Sequence, residues 1–512
     1  MLSNVKSITL LGLKGYLISI QVDISRGMPT FEIVGLPGTS IKEAKERVKI
    51  AIKNAGIEFL SRKIVVNLSP ANIRKEGSSF DLPIAMGILL ASEKVKYVKE
   101  LFNESIFVGE LSLDGTIEKI NGILPICIEA KRLGIKNIFL PVQNAKEASI
   151  VKGLNIIPIN NLKEIIDFLN GNLEIKFENN NFNMLKGEPT YDVDFSEVKG
   201  QENVKRALEI AAAGGHNCLL IGSPGSGKTM LAKRIPTILP DMNLEEILEV
   251  TKIYSIVGLT SNEQPLIENR PFRSPHHTIT ATSLVGGGKS PKPGEVSLAH
   301  LGVLFLDELT EFNKNTLEVL RGPLEDRKIT ISRINSAISY PCNFMLIASM
   351  NPCPCGYYGS KEKACTCTEE QIRKYINKIS GPMLDRIDIH IEVNSVNYDN
   401  LSSKVETEKS IDIRKRVNTA RKKQLERYKK YKIYSNSELN STQLELFCKL
   451  DEKCKRILEI AFEKLALSSR AYSRILKVAR TIADLANSEN IKQEHLAEAI
   501  QYRSLDRKYW KH

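Results

Sequence analysis

A chain of 512 residues, 42% hydrophobic and 26% charged, is too long for one hydrophobic core and reads as a soluble globular protein of two to four domains. Its longest apolar runs, VLFL at 303–306 and FMLIA at 344–348, fall far short of the ~20 residues that cross a bilayer, which excludes a membrane-spanning helix. The formal charge of +12 is uneven: residues 401–512 hold 26 Lys and Arg against 15 Asp and Glu, most densely in RKRVNTARKKQLERYKKYK at 414–432. Attraction to a phosphate backbone and a merely solvated helix face account for that run equally well.

The opening MLSNVKSITLLGLKGYLISIQV has polar residues breaking its apolar runs and no small-residue cleavage site, so it reads as a first strand pair rather than a signal peptide. A cytoplasmic location with reduced thiols is the resulting expectation. From 1 to 170, strand-like runs (FEIVGL, KIVVNLS, NIFLP, NIIPI) alternate with helical ones (SIKEAKERVKIAIKNAG, DLPIAMGILLAS, ILPICIEAKRLG), the pattern of a compact α/β domain. Asn-rich, aperiodic residues 171–192 read as a linker. Strands and helices alternate again over 193–395, and residues 396–512 are helical almost throughout.

Within the second region, GSPGSGKT at 222–229 fits the P-loop pattern, following the apolar strand CLLI and preceding the helical MLAKRI. Gly222, Gly225 and Gly227, with Ser223, Pro224 and Ser226 between them, let the backbone curl so that its N–H groups face phosphate oxygens. Lys228 supplies a charge to the β- and γ-phosphates of ATP, and Thr229 a hydroxyl to Mg²⁺. GVLFLDEL at 302–309 contains Asp307, placed to hold Mg²⁺, and Glu308, placed to activate water. FMLIASMN at 344–351 is a further buried strand, and its terminal Asn351 is expected beside the γ-phosphate.

These residues, with RPFRSPHHTITATSLVGGGKSPKPGEVSLAHLGVLFLDEL, IASMNPCPCGY and GPMLDRIDIHIEV, resemble the magnesium-chelatase-like branch of the AAA+ ATPases. With its amino-terminal region, the whole chain resembles the bacterial YifB/ComM family. That resemblance implies a multidomain α/β protein: a Lon-protease-like α/β domain, a P-loop AAA+ core with a parallel sheet, and an all-helical C-terminal lid. It also implies a homo-oligomeric, hexameric ATPase that drives branch migration of single-stranded or branched DNA in recombination. A magnesium-chelatase motor subunit and a protein-remodelling chaperone are the alternatives. By the same resemblance Arg386 is the arginine finger reaching a neighbouring subunit, and Arg470 is the second sensor, with Arg474 one turn on as the competing choice.

Residues 270–300, with Arg270, Arg273, His276, His277, Lys289 and Lys292, read as an insert, and EDRKITISRINSAISYP at 325–341 reads as a hairpin. The resemblance directs both toward a central pore, where Arg327, Lys328 and Arg333 are the candidate DNA contacts. His276 and His277, adjacent and with no partner at i+4, do not form a metal motif. In the amino-terminal region, NLSPANIRKEGSSFDLPIAMGIL resembles Lon-type proteases with Ser79 at the nucleophile position. The lysine base of that family is replaced by Leu124, and Lys119 lies before the turn, so peptidase activity is not expected.

NPCPCGYYGSKEKACTC at 351–367 groups Cys353, Cys355, Cys365 and Cys367 as two C-x-C pairs. Grouping and number are compatible with a structural Cys₄ Zn²⁺ site as well as with four reduced thiols.

Overall fold

The computed structural model describes residues 2–177, 191–288, 291–333, 336–360, 363–395, 407–431, 433–465 and 467–510, without the side chains of 333, 336 and 507. Lys289 and most of the expected linker lie outside the described residues. The chain forms two compact units: Met1–Gly187 with Ile247–Ile267, and Glu188–Glu246 with Glu268–His512. Among the described residues no helix is long and apolar enough to cross a membrane.

In the first unit β1 (Leu2–Leu11) and β2 (Lys14–Ser25) pair antiparallel around Gly12, whose φ of 63° is left-handed. With β3 (Thr30–Val34) and β4 (Lys63–Ser69) they form a sheet of order β1-β2-β4-β3, in which the β3–β4 pair is parallel. Ile18, Ile20, Val22 and Ile24 of β2 are buried, the alternation expected of a sheet with one packed face. Helix Thr39–Asn54 buries Ile41, Ala44, Val48, Ala51 and Ile52 on one stripe, whereas every residue of helix Asp81–Ala91 is buried. Strand β5 (Ser105–Phe107) leads to the short hairpin β6 (Glu110–Leu111) and β7 (Ile117–Glu118). β8 (Asn137–Pro141) and β9 (Asn155–Ile159) complete a parallel sheet of order β5-β8-β9.

Ile247–Ile267 falls inside the 193–395 span in sequence yet folds with the first unit. Its anchors are polar: Gly122 N donates to Ser255 O at 2.9 Å, Lys119 Nζ to Thr260 O at 2.6 Å, and Thr260 Oγ1 to Glu147 at 2.7 Å. Ser255 and Thr260 are buried, so these bonds satisfy groups that water does not reach.

The second unit is built on a five-stranded parallel sheet. Its strands are β10 (Cys218–Gly222), β11 (Phe272–Arg273), β14 (Val303–Leu306), β17 (Met345–Met350) and β18 (Ile389–Val393), in the order β11-β14-β17-β10-β18. Between them in sequence come the pair β12 (Gly286–Gly287) with β13 (Lys292–Pro293), and a hairpin of β15 (Lys328–Arg333) with β16 (Ser336–Pro341). CLLIG, VLFL and MLIASM are buried along their whole length because both faces of the sheet are covered. Cys218, Leu220, Phe305 and Ile347 enter one core together with residues of helices Glu202–Gly214, Ser410–Tyr428 and Ser469–Leu485. Leu219, Ile221, Leu306 and Leu346 enter the other, with Leu317, Ile372 and Met383. The expected mixed α/β architecture and helical C-terminal region are both present, and those helices share the first of these cores with the sheet.

Candidate nucleotide site

Sheet order brings the nucleotide residues together. β17 lies between β10 and β14, so the P-loop after β10, Asn351 after β17 and Asp307 after β14 share one carboxyl edge of the parallel sheet. A Cβ on Gly222 would overlap the Val393 carbonyl oxygen, and Gly225 and Gly227 have φ of 78° and 91°. Close approach in one case and left-handed backbone in the others favour glycine. Gly227 then begins helix Lys228–Arg234, whose first amides face the loop.

Lys228 Nζ donates to Gly222 O at 2.8 Å, Ser223 O at 2.9 Å and Asn351 Oδ1 at 3.2 Å. Burial lowers its pKa from the ordinary value, while Asp307 and Glu308 oppose that shift. Thr229 Oγ1 donates to Asp307 Oδ2 at 2.7 Å. Ser349, fully buried on β17, donates to Asp307 Oδ1 and accepts from Glu308 N at 3.2 Å. Glu308 itself is left-handed with φ of 52°, a strained conformation held by its amide bonds to Ser349 and Asp307.

The arrangement fits Mg²⁺-ATP. Ser226 Oγ is buried in the loop without a hydrogen-bond partner, and the helix amides and Lys228 offer further donors to an anion. Thr229 and Asp307 present paired oxygens of the kind Mg²⁺ takes, and bound Mg²⁺ supplies charge neutralisation at phosphate oxygens. Glu308 and Asn351 share an open cavity of about 890 Å³ with Glu311, Tyr375, Cys355 and Cys367.

The arginines gather elsewhere. Arg386 is 6% exposed, donating to Pro382 O at 2.6 Å and to Glu325, and its own carbonyl accepts from Asn217 Nδ2 at 2.8 Å. Arg470 lies 3.8 Å from Asp385, and Arg474 lies 2.9 Å from Asp388. Asp385, Arg386 and Asp388 precede β18 and Asn217 precedes β10, whereas the P-loop follows β10, level with the far end of β18 at Val393. One strand length, about 16 Å, separates the two edges. Arg386 and Lys228 of one chain therefore do not meet.

The hairpin expected at 325–341 is formed, and Tyr340 Oη reaches Pro291 O at 2.9 Å from it. Arg327 precedes β15 in a left-handed conformation and turns inward to Glu438 at 2.9 Å, where burial and Arg474 push its pKa down to about 10. Lys328 and Lys292 are exposed, and the side chain of Arg333 lies outside the described residues. Arg270 and Arg273 serve the fold, on Glu246 at 3.0 Å and Glu295 at 2.6 Å. The basic run is divided. Arg414 donates to Thr237 O at 2.8 Å, Arg416 pairs with Glu209 at 2.6 Å and Arg427 with Asp484, whereas Lys415, Lys422, Lys429 and Lys430 are exposed.

The four cysteines come together, with all four sulfurs within 4.8 Å of one another. In the first unit Leu124 is fully buried in helix Ile123–Arg132. Lys75 of that unit is held on Gly35 O at 2.8 Å, and Lys119 on Thr260 O.

Sequence reasoning missed Ser349, although its place two residues before Asn351 in a buried strand marks a polar group needing a partner. It also missed the contact of Gly356 with the P-loop residue Pro224, which joins segments far apart in the chain.

Residues 194–401 match the family model "Magnesium chelatase, subunit ChlI", residues 20–144 that for "Subunit ChlI of Mg-chelatase", and residues 407–503 that for the ChlI C-terminal part. The chain is 43% identical to YifB of Escherichia coli strain K12 over 99% of its own length and 98% of that protein. It is 43% identical to the competence protein ComM of Haemophilus influenzae over 97% of its own length and 96% of that protein. A more distant likeness, 27% identity over 30% of each chain, relates it to Lon protease 2 of Bacillus subtilis. The chain belongs to the YifB and ComM family, whose ATPase region is of the magnesium-chelatase AAA+ type.

Proposed function

We propose that the protein is a hexameric, ring-forming ATPase that uses Mg²⁺-ATP to remodel branched DNA by branch migration. In this reading Lys228 and the P-loop amides hold the phosphates, Thr229 and Asp307 hold Mg²⁺, Glu308 activates water and Asn351 orients the γ-phosphate. The carrying observation is the strand length between Arg386 and Lys228. An arginine finger on the opposite edge completes a site only in a neighbouring copy, which a ring supplies. Arg470 and Arg474, beside the same edge, are the candidates for the second sensor. The four cysteines hold Zn²⁺ in a structural role, and the first unit, lacking a lysine at Leu124, hydrolyses no peptide.

DNA is the favoured client because the relative ComM is a competence protein and because Lys328 and Lys292 stand exposed on the two inserts. Arg327 pairs with Glu438 at 2.9 Å, so of these candidates Lys328 is the more open to a phosphate backbone. The magnesium-chelatase match supports a second reading, a motor for metal insertion into a porphyrin.

One experiment separates them: ATP hydrolysis with and without single-stranded DNA or synthetic four-way junctions, together with junction unwinding, in wild type and Glu308→Gln. Stimulation by junctions and unwinding lost in Glu308→Gln are expected. Absence of DNA binding and stimulation, with stimulation by a porphyrin or protein client instead, overturns the DNA reading.

A further inference from the structure

The cysteine cluster abuts the nucleotide site, and the reading above gives its Zn²⁺ a structural role without linking it to ATP. We propose that it binds one Zn²⁺ ion and that this ion props the P-loop, so that metal content governs nucleotide affinity and turnover; the second half rests on the ATPase reading above.

The metal is argued from sulfur geometry. Four sulfurs each ~2.3 Å from a tetrahedral Zn²⁺ stand about 3.8 Å apart. Here Cys353 Sγ is 3.3 Å from Cys355 Sγ and 3.7 Å from Cys365 Sγ, and Cys355 Sγ is 3.5 Å from Cys365 Sγ. These separations are far longer than a disulfide bond of about 2.05 Å and near the edge of the tetrahedron. Backbone amides already point at the sulfurs: Tyr358 N lies 3.3 Å from Cys353 Sγ, Cys355 N 3.4 Å from Cys367 Sγ, and Cys367 N 3.5 Å from Cys365 Sγ. Such donors offset thiolate charge around a bound metal. Binding converts four thiols and Zn²⁺ into a tetrathiolate of net charge −2 and releases four protons to solvent. Four sulfur ligands leave no open position, so the ion does no chemistry on substrate.

The prop is argued from three contacts. Gly356, in the turn between the paired cysteines, has φ of 84° and donates to Cys353 O at 3.0 Å. A Cβ there would overlap Pro224 of the P-loop, so this turn lies directly against the phosphate-binding backbone. Asn351, which receives Lys228 Nζ, stands two residues before Cys353. Cys355 and Cys367 form a wall of the cavity that Glu308 and Asn351 face. Without the ion, the loop between the cysteine pairs loses the bonds that fix its turn on Pro224.

The test measures zinc by elemental analysis, fluorescent-ATP affinity and ATP turnover in the full chain, for wild type, Cys365→Ser and Gly356→Ala. Wild type should carry one zinc per chain. Cys365→Ser should lose it, with ATP affinity and turnover each reduced about tenfold or more. Gly356→Ala keeps all four ligands and should retain zinc while losing ATP affinity about tenfold, and wild type stripped of zinc by a chelator should lose the same affinity and regain it when Zn²⁺ is returned, which decides the coupling even if Cys365→Ser does not fold. Wild type without zinc overturns the metal site. Zinc present, with ATP affinity unchanged in Gly356→Ala, overturns the prop. Zinc and ATP bound without hydrolysis in wild type overturns the ATPase reading alone, and the affinity comparison still decides the prop.

Discussion

Ser349 donates its hydroxyl to the Asp307 carboxylate that also receives Thr229, and accepts from the amide of Glu308. One buried hydroxyl thus orients the Mg²⁺ candidate and holds the next residue in a left-handed turn. Ser349→Ala leaves a charged acceptor one donor short, a loss of about 1.5–3 kcal/mol for a bond to a charged group. ATP turnover should fall by roughly tenfold to a hundredfold, with the Mg²⁺ concentration for half-maximal rate raised. A Mg²⁺ titration of the ATPase rate checks this, and an unchanged half-point would remove Ser349 from the site.

Separation of Arg386 from Lys228 predicts complementation between dead subunits. Arg386→Ala alone and Glu308→Gln alone should each lower ATP turnover on the order of 10³-fold. Mixed in equal amounts, they form interfaces in which an intact Glu308 faces an intact Arg386, so turnover should rise well above either variant. If mixing restores nothing while light scattering shows mixed oligomers, Arg386 does not act across the interface.

How much of this was legible in the sequence depends on distance along the chain. GSPGSGKT is contiguous, and Asp307 and Asn351 each end a buried strand, so pattern alone marked them. The role of Ser349 depends on β14 and β17 being neighbours in register, Leu306 beside Ala348, which places Ser349 level with Asp307. No local pattern carries that pairing. The resemblance directs Arg327 toward a client, and no local pattern announces that its ion-pair partner is Glu438 of the helical C-terminal region. Basic residues at 414–432 looked uniform, and tertiary partners such as Glu209 and Asp484 divide them into folding arginines and exposed lysines. The excursion of Ile247–Ile267 into the first unit was likewise hidden, because its anchors are single hydrogen bonds to remote residues.

Leu124 and Ser79 offer tests of the proposal that the first unit hydrolyses no peptide. The Leu124 side chain is fully buried in the core of the first unit, so Leu124→Ala should cost about 2–5 kcal/mol of stability. Ser79→Ala should leave both stability and the absence of casein hydrolysis unchanged. Urea unfolding and a fluorescent casein assay measure the two quantities. Hydrolysis by wild type that disappears in Ser79→Ala would show that another base serves this serine.

Acid should destabilise the second unit through buried histidines. His216 is fully buried, on Asp388 at 3.0 Å and Thr481 at 2.7 Å, and His390 is buried beside Asp506 at 2.6 Å. Burial lowers both pKa values below the ordinary 6.5, with the carboxylates opposing and Arg474, Lys477 and Arg503 reinforcing the shift. In the unfolded chain these rings take a proton near pH 6.5, whereas in the fold they take it at lower pH. Between those limits the unfolded state binds more protons, so stability falls as pH falls. Asp388 adds the same sign at lower pH: burial alone would raise its pKa, but Arg474 and His216 hold it far below the usual carboxylate range. Its contribution is present above about pH 4 and is lost on further acidification. Melting temperature should therefore decline steadily from pH 7 to 5.5, and His216→Gln should show a shallower decline from a lower starting point. A His216→Gln profile as steep as wild type would assign the acid sensitivity to other groups.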